Sequence, residues 1–577
     1  MTKDPRPPSA LGKAVSVLLA LLPPARMAWI VFSNGENNLS NDYGMRVPLV
    51  VSMLDGTCTF ARFFHEAWVG ASHSLIALVP IYYLNARFFD WSVWIELGLG
   101  LAFVAATLVL LVAATPRAVR WWLLPLVSLL LFSTSRVSVF TFGEPSLQYG
   151  LSQLGVAIAA CALAVREPKP IAFAVALTFG GVLASWSWGG GVMVWPVLAA
   201  ALALQRTARF ATWAILAFGA VAALAQYVCL LPSQLSATKA EYVPLAMKGL
   251  VFLDVLGRPF VRGISHSELN SWSQAVGAAG LLGLVPLLVI LRKKIRELLV
   301  PLVLIAWSLL VAAQIALVRA AVAPWYASPS ALFWVGFLML LAAAPVSLGT
   351  AGIIVIAVPS LINQFTWEDK SFYLPSRSPA AAACLREWRS APVAWCGERL
   401  FQWKGGAGPG WLGEPLERKH LSVFGARGTY LLQGDAAIGR VSVGKPIRHV
   451  FLSRDGQTPG DLLDFHRLDL VLAPGARVIW QVDLPPGAHA VFSTVVRAAP
   501  GDSQAARGAL VSVGSEGSSV CFEERAFLPR ETARPLSVDL SSLAGRSITL
   551  RISADETHEG ETPLVFESPK IELRGDR

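Results

Sequence analysis

Charge is scarce in this sequence: only 15% of its 577 residues are Asp, Glu, Lys or Arg, whereas 54% are hydrophobic. Soluble domains carry about 25% charged residues, so an ordinary water-facing surface over the whole length is excluded. Cysteine is scarce too. Six in the whole chain exclude a disulfide scaffold. Cys161 and Cys229 fall in apolar runs and read as small hydrophobes, while Cys384 and Cys396 share one polar segment and are placed to bridge. A cleavable leader is missing as well. Lys13 and the apolar stretch after it imitate one, but Pro23, Pro24 and Arg26 interrupt it and no small-x-small site follows. It reads as an uncleaved first span. The net charge of +10 raises nucleic acid as a partner, but the basic residues sit in short connections between apolar runs, where they orient membrane spans. No nucleic-acid partner is expected.

What the chain has in quantity, up to about residue 364, is long apolar runs. A bilayer core takes about 20 mostly apolar residues as helix. Eleven spans are expected, at 12–32, 92–114, 120–133, 146–165, 170–187, 190–205, 210–231, 272–291, 298–318, 328–344 and 348–364. With the N-terminus in the cytoplasm, the tight inner connections collect Lys3, Arg6, Lys13, Arg117, Arg120, Arg166, Lys169, Arg206, Arg209, Arg292, Lys293, Lys294 and Arg296. The outer connections are long, with few basic residues for their length. The rule that basic loops stay inside therefore gives an N-in, C-out membrane protein of 1–364, a connector of 365–424, and a domain of 425–577 outside the cytoplasm.

Chemistry is expected at the outer face, where long loops sit on a rigid scaffold. The first such loop, SNGENNLSNDYGMRVPL, carries Glu36, Asp42 and Arg46. Asp42 and Glu36 are candidates for a general base or a metal ligand, although their spacing alone favours caps in a solvated turn. His65, Glu66 and His73 lack the His-Glu-x-x-His spacing of a zinc site. No metal or other cofactor is indicated. Ala71 to Phe89, with Tyr82, Tyr83, Asn85 and Arg87, suits a helix lying in the interface, as a surface anchor or as the lining of a lipid entrance. Arg136 and Glu144 flank the third and fourth spans, as an ion pair or with Arg136 holding a phosphate. Three glycines at 189–191, among Trp186, Trp188 and Trp195, permit a tight re-entrant turn. Tryptophans there anchor an interface or stack on sugar rings. Arg319, just outside the ninth span, lies near Tyr326.

These residues together resemble the polytopic glycosyltransferase C superfamily over about residues 12–364. The resemblance is carried by Asp42 in the first outer loop, His73-Ser74, Asn85-Ala86-Arg87, Phe132-Ser133, Ala184-Ser185, Trp195-Pro196 and the loop Arg319 to Tyr326. It implies a bacterial inner-membrane enzyme that transfers a sugar, with inversion, from a polyprenyl-phosphate carrier to a glycan or cell-envelope acceptor. Asp42 is then the base, and Arg136, Arg319 or His73 holds the phosphate, with Glu144 and Tyr326 beside the substrate. Many members show paired acids, whereas Asn41 precedes Asp42 here and Glu36 is six positions away. That departure argues against a metal-bridged mechanism.

Beyond 425 the pattern changes to short alternating strands such as ARVIWQVDL, AHAVFSTVVR, GALVSVG and RSITLRIS, separated by Pro-Gly and Ala-Gly turns. An all-β sandwich is expected, and LSVDLSSLAGRSITLRIS resembles a galactose-binding-like jelly roll. Two other functions fit the sequence: a transporter or flippase for a lipid-linked glycan, and a non-catalytic glycan-binding assembly protein. A transporter calls for internal repeats and mid-membrane ionisable groups. No repeat is visible, and the charges gather at the ends of spans.

Overall fold

A computed structural model of the chain describes its residues except 1–8, 34–36, 38, 40–42, 65, 67–75, 166–168, 206–211, 215, 223–224, 226–243, 262–268, 320–321, 366–384, 386–409, 420, 423–428 and, beyond 428, all residues outside the strands, 540–544 and 546. The chain forms two compact units. One comprises 1–35, 52–89 and 93–373, the other 36–51, 90–92 and 374–577.

The first unit is helical. Its main helices are α1 (Ala10–Ser33), α3 (Phe60–Phe64), α4 (Val79–Phe89), α5 (Val93–Ala114), α6 (Arg117–Leu131), α7 (Val137–Phe140), α8 (Gly143–Leu163), α9 (Pro170–Ser185), α10 (Val194–Gln205), α11 (Leu245–Gly257), α12 (Ser271–Leu291), α13 (Leu299–Val318), α14 (Ala327–Ala343) and α15 (Val346–Phe365). A further helix, α2 (Tyr43–Leu54), begins in the second unit. Among the described residues, seven helical stretches are long and apolar enough to cross a membrane, which makes this a polytopic membrane unit. One of them, Ser271–Val318, contains α12 and α13, joined by the 3-10 turn Arg292–Leu298. Helix α1 runs unbroken through Pro23 and Pro24. The expected spans 170–187 and 190–205 are helices of 16 and 12 residues, and most of 210–231 lies outside the described residues.

Side-chain contacts give the relative direction of each helix. Ser16 and Ser128 bond the carbonyls of Trp121 and Ala20, so α1 and α6 run parallel. Gly100 meets Ser146 and Cys161 donates to Leu110 O, so α5 and α8 also run parallel. Gly155 and Gly180 face each other's backbones across α8 and α9, with Ala184 beside Gly155 and Ala159 beside Gly180, so that pair is antiparallel. A side chain at either glycine would collide, which is why two helices approach so closely there. Gln205 bonds Leu163 O, bringing the end of α10 to the end of α8. Gly280 and Gly283 lie against Trp334 and Phe337, whereas Gly336 lies against Pro301 and Ile305 and Ser308 bonds Pro329 O. Helix α12 is thus parallel to α14 and α13 antiparallel to it, so the chain reverses at Arg292–Leu298.

One end of this unit therefore gathers the start of α1, the turns at 115–116, 292–298 and 344–345, and residues 164, 165 and 169. Its described basic residues are Lys13, Arg117, Arg120, Lys169, Arg292, Lys293, Lys294 and Arg296. Arg120 caps α5 there, donating to Ala113 O and to Thr115 O at 3.1 Å, two of the carbonyls that a helix end leaves without partners. The opposite end gathers 33, 132–142, 186–193, 257–261, 269–270, 319, 322–326 and 365.

In the second unit, residues from the first long loop pack with residues far downstream. Trp91 is fully buried and meets Tyr43 edge-on at 6.2 Å. Gly44 lies against the ring of Trp411 in the helix α16 (Gly410–Arg418). The Ser422 hydroxyl donates to Asn37 O at 3.3 Å, and its amide to Asp90 O. Asp90, Trp91 and Ser422 hold left-handed backbone, with φ of 51°, 51° and 56°, a conformation that persists only where the surroundings impose it.

Twelve strands follow: β1 (Thr429–Leu431), β2 (Val441–Ser442), β3 (Pro446–Leu452), β4 (Leu463–Asp464), β5 (Asp469–Leu472), β6 (Arg477–Asp483), β7 (His489–Ala498), β8 (Arg507–Ser515), β9 (Phe522–Leu528), β10 (Arg534–Asp539), β11 (Ser547–Ala554) and β12 (Leu564–Arg574). They pair antiparallel in two sheets. One runs β10-β7-β12-β5-β4 with β1 also on β12, and the other runs β2-β3-β6-β11-β8-β9. Alternation buries Leu536 and Val538 of β10 and Ile548, Leu550 and Ile552 of β11. The four expected strand segments match β6, β7, β8 and β11.

The helix directions are tested by single cysteines in an otherwise cysteine-free chain in sealed vesicles. A membrane-impermeant maleimide should label Lys169→Cys and Lys293→Cys from one side and Arg319→Cys from the other. Labelling of Lys169→Cys and Lys293→Cys from opposite sides would refute the reversal at Arg292–Leu298.

Candidate functional site

The end opposite the basic turns carries a buried polar layer. The sequence FSTSRVSVFTFGE breaks α6 from α8 because Ser133 caps the turn Thr134–Arg136, its side chain accepting from the Ser135 amide. Arg136, which follows, is fully buried. Its Nε donates to Ser328 Oγ at 3.1 Å, Nη2 to Gln153 Oε1 at 3.0 Å, and Nη1 to Leu131 O. The guanidinium lies 5.1 Å from the centre of the Phe140 ring, and Phe140 stacks on Phe132 at 6.1 Å. Gln153 completes the set by donating to Ser328 O. One arginine thus ties the last residue of α6 and the first turn of α14 to the middle of α8.

This corrects the expected Arg136–Glu144 pair. Arg136 takes neutral partners only, whereas buried Glu144 accepts from Gln148 Nε2 at 2.8 Å one turn along α8. The physical reason lies in the short helix α7, which carries residue 136 toward α14 while residue 144 opens α8.

A second group closes the layer. Asn363 and Gln364, at the end of α15, reach back to the Ser133 turn. Thr134 Oγ1 donates to Asn363 O at 2.8 Å and Thr134 N to Gln364 Oε1 at 3.1 Å. Pro259 O accepts from Ser135 Oγ at 2.9 Å and from Ser133 Oγ and Asn363 Nδ2, both at 3.3 Å. Beside it, Asp254 and Arg258 form a buried ion pair of 2.9 Å, and the same carboxylate oxygen accepts from the Asn270 amide at 3.2 Å. Three of the last four carbonyls of α11 are occupied by side chains. Asp254 O takes Ser273 Oγ, Val255 O takes Ser330 Oγ, and Leu256 O takes Trp334 Nε1.

The other expected residues are placed as follows. Arg319 is exposed at the end of α13, and Tyr326 is buried in the turn Pro324–Tyr326 at the same end of the unit. Asp42, Glu36 and His73 lie outside the described residues, as do Cys384 and Cys396. In α4, Tyr82 and Asn85 are buried, and Asn85 donates to Glu96 at 3.0 Å, while Arg87, Phe88 and Phe89 are exposed. The polar side expected to meet headgroups is therefore partly turned into the protein. The three glycines form the 3-10 turn Gly189–Met193 between α9 and α10 rather than a re-entrant loop. Gly191 lies against Ala184 O, and Trp188 and Trp195 are buried, Trp188 against Tyr149 at 4.7 Å. Those two tryptophans are packing residues. Among the described residues, no three His, Cys, Asp or Glu side chains are grouped to hold a metal.

The sequence reading missed Gln153, Ser328, Asp254, Asn363 and Gln364. The available signal was their polarity inside apolar runs, because a polar group at membrane depth needs a partner.

No family model matches the chain. No curated protein matches it. One solved structure, TmCBM61 in complex with beta-1,4-galactotriose, is similar over 22% of this chain and 82% of its own at 9% identity, with a TM-score of 0.15 that is too low to bear on fold or ligand.

Arg136→Lys keeps the charge but loses the planar fork, so it cannot serve three acceptors on three helices. Each buried acceptor left unpaired costs about 1–3 kcal/mol. The thermal unfolding midpoint in detergent should fall by several degrees for Arg136→Lys and for Gln153→Leu, and barely for exposed Arg87→Lys. An unchanged midpoint for Arg136→Lys would remove its role in tying the three helices.

Proposed function

We propose that this chain is a membrane glycosyltransferase that moves a sugar from a polyprenyl-phosphate carrier to a cell-envelope acceptor at the outer face of a bacterial inner membrane. The observation that carries the reading is the sorting of charge between the two ends of the helical unit. Described basic turns collect at one end, and the long connections and the buried polar layer at the other. With basic turns in the cytoplasm, the polar end and the segment after α15 are outside, which agrees with an odd number of spans such as eleven. The packing of Trp411 and Ser422 with residues of the first long loop supports a common side for both.

In this reading the acceptor hydroxyl attacks the anomeric carbon, and the bond from that carbon to the phosphate oxygen breaks. The phosphate leaves with the electron pair, and the hydroxyl proton passes to Asp42, with Glu36 as the other candidate. Arg319, exposed at that end, and His73 hold the leaving phosphate, where fixed cationic donors act most strongly. Tyr326 lines the same end. Arg136 and Glu144 act one layer below, keeping the turn above them in place. The two antiparallel sheets are read as a jelly-roll sandwich that holds a glycan.

Orientation is tested by a phosphatase fused after Arg577, which should be active. An inactive fusion of full length would invert the topology. The chemistry is tested by radiolabel transfer from a panel of polyprenyl-phosphate sugars. A general base supplies about 10²–10⁴-fold in rate, whereas an exposed turn aspartate costs about 0.5 kcal/mol of stability or less on substitution. Asp42→Asn should therefore fold normally and transfer at least about a hundredfold more slowly. Activity equal to the parent would dismiss Asp42, and a loss confined to Glu36→Gln would move the role there.

A further inference from the structure

Hydropathy makes 232–271 an outer loop, yet this segment contains α11, which packs along α12. Gly257 meets Ser273 and Gly277 meets Leu253, so the helices are antiparallel and α11 runs toward the polar end. That register places residue 248 opposite residue 282. Helix α12 is bracketed by Trp272 in its first turn, 61% exposed, and by the basic turn starting at Arg292, an aromatic and a basic marker of two membrane interfaces. At 1.5 Å per residue, Lys248 lies about 15 Å from each marker, farther than its stem of roughly 6 Å extends.

A lysine at that depth is costly unless it has a partner. Its amide donates to Pro244 O at 3.1 Å, but among the described residues the Lys248 side chain makes no hydrogen bond or ion pair. Its half of the helix is also open. Leu245 is 82% exposed, and Met247 and Leu250 are 38% and 39% exposed, whereas Val251 and Asp254–Gly257 are buried. An ammonium group is thus set in an apolar strip that faces away from the packing. The first amides of α11 lie within one turn of it, with Pro244 as a cap that supplies no side-chain hydrogen bond, so the helix dipole adds to the positive potential.

We propose that Lys248 binds the phosphate of a long-chain lipid monophosphate within the thickness of the membrane, with the lipid chain along Leu245, Met247 and Leu250. The site is separate from the outer-end position given to Arg319 and His73, and it rests on the transferase reading only for the identity of that lipid, as the carrier of the sugar before it reaches them.

The full-length protein in phosphatidylcholine nanodiscs is titrated with farnesyl monophosphate, farnesol and inorganic phosphate. Saturable binding of farnesyl monophosphate is expected, at least tenfold weaker in Lys248→Gln, retained in Lys248→Arg and unchanged in Lys293→Gln. Equal affinity of Lys248→Gln and the parent overturns the site, as does equal binding of farnesol. Inorganic phosphate binding as tightly as farnesyl monophosphate overturns the lipid assignment. Should Lys248→Gln fail to run as a monodisperse species, Lys248→Met replaces it under the same criteria. Sugar transfer is measured separately on the same variants. Loss of binding with transfer intact refutes this site as the carrier's, and intact binding without transfer by the parent refutes the enzyme.

Discussion

A membrane offers its proteins no water with which to satisfy polar groups, and a buried charge or backbone group is therefore costly unless the protein itself supplies a partner. Arg136 shows the constraint most clearly. Its cation is fully buried with neutral acceptors only, and those acceptors belong to α6, α8 and α14. The guanidinium suits this task because its planar fork addresses several acceptors at once. Two helix ends and the middle of α8 are consequently held in one geometry, and the turns beside them inherit it.

The neighbouring polar groups extend the same principle. Asn363 and Gln364 use the last turn of α15 to occupy Ser133, Thr134 and Pro259. The open carbonyls of α11 are met by side chains of α12 and α14. Directional bonds of this kind position elements, whereas the apolar surface between helices, which lipid tails match in polarity, contributes little direction. Close packing supplies the remainder. Gly155 with Gly180, and Gly257 with Gly277, let backbones approach where a methyl group would collide.

The two ends of the unit differ in composition. At one end, short turns rich in Lys and Arg leave little room for a site. At the other, connections are long and their bases are rigid, which is the arrangement that lets loops carry chemistry. Helix α11 adds an element that is neither span nor loop, and its open half gives Lys248 a setting different from any basic residue in the turns.

Much of the fold was legible because apolar runs of about 20 residues have few alternatives to a membrane helix, and because strands such as β6 and β11 alternate with period two. Helix α11 was hidden by its 13 residues, too few to register as a span, and by the Lys248 and Asp254 that dilute its hydropathy. The partners of Arg136 were not legible because proximity in sequence to Glu144 says nothing about how the intervening four-residue helix α7 separates the two side chains. The tryptophans at 188 and 195 looked like surface anchors because composition does not distinguish an aromatic facing lipid from one facing Tyr149 or Gly181. The sequence by itself determined that the chain enters a membrane repeatedly, where its basic turns fall and which segments pair as strands, since each of these follows from local composition and period. Only the tertiary structure decided the directions of the helices, the partners of the buried polar groups and the depth of Lys248, because each depends on contacts between residues far apart in the chain.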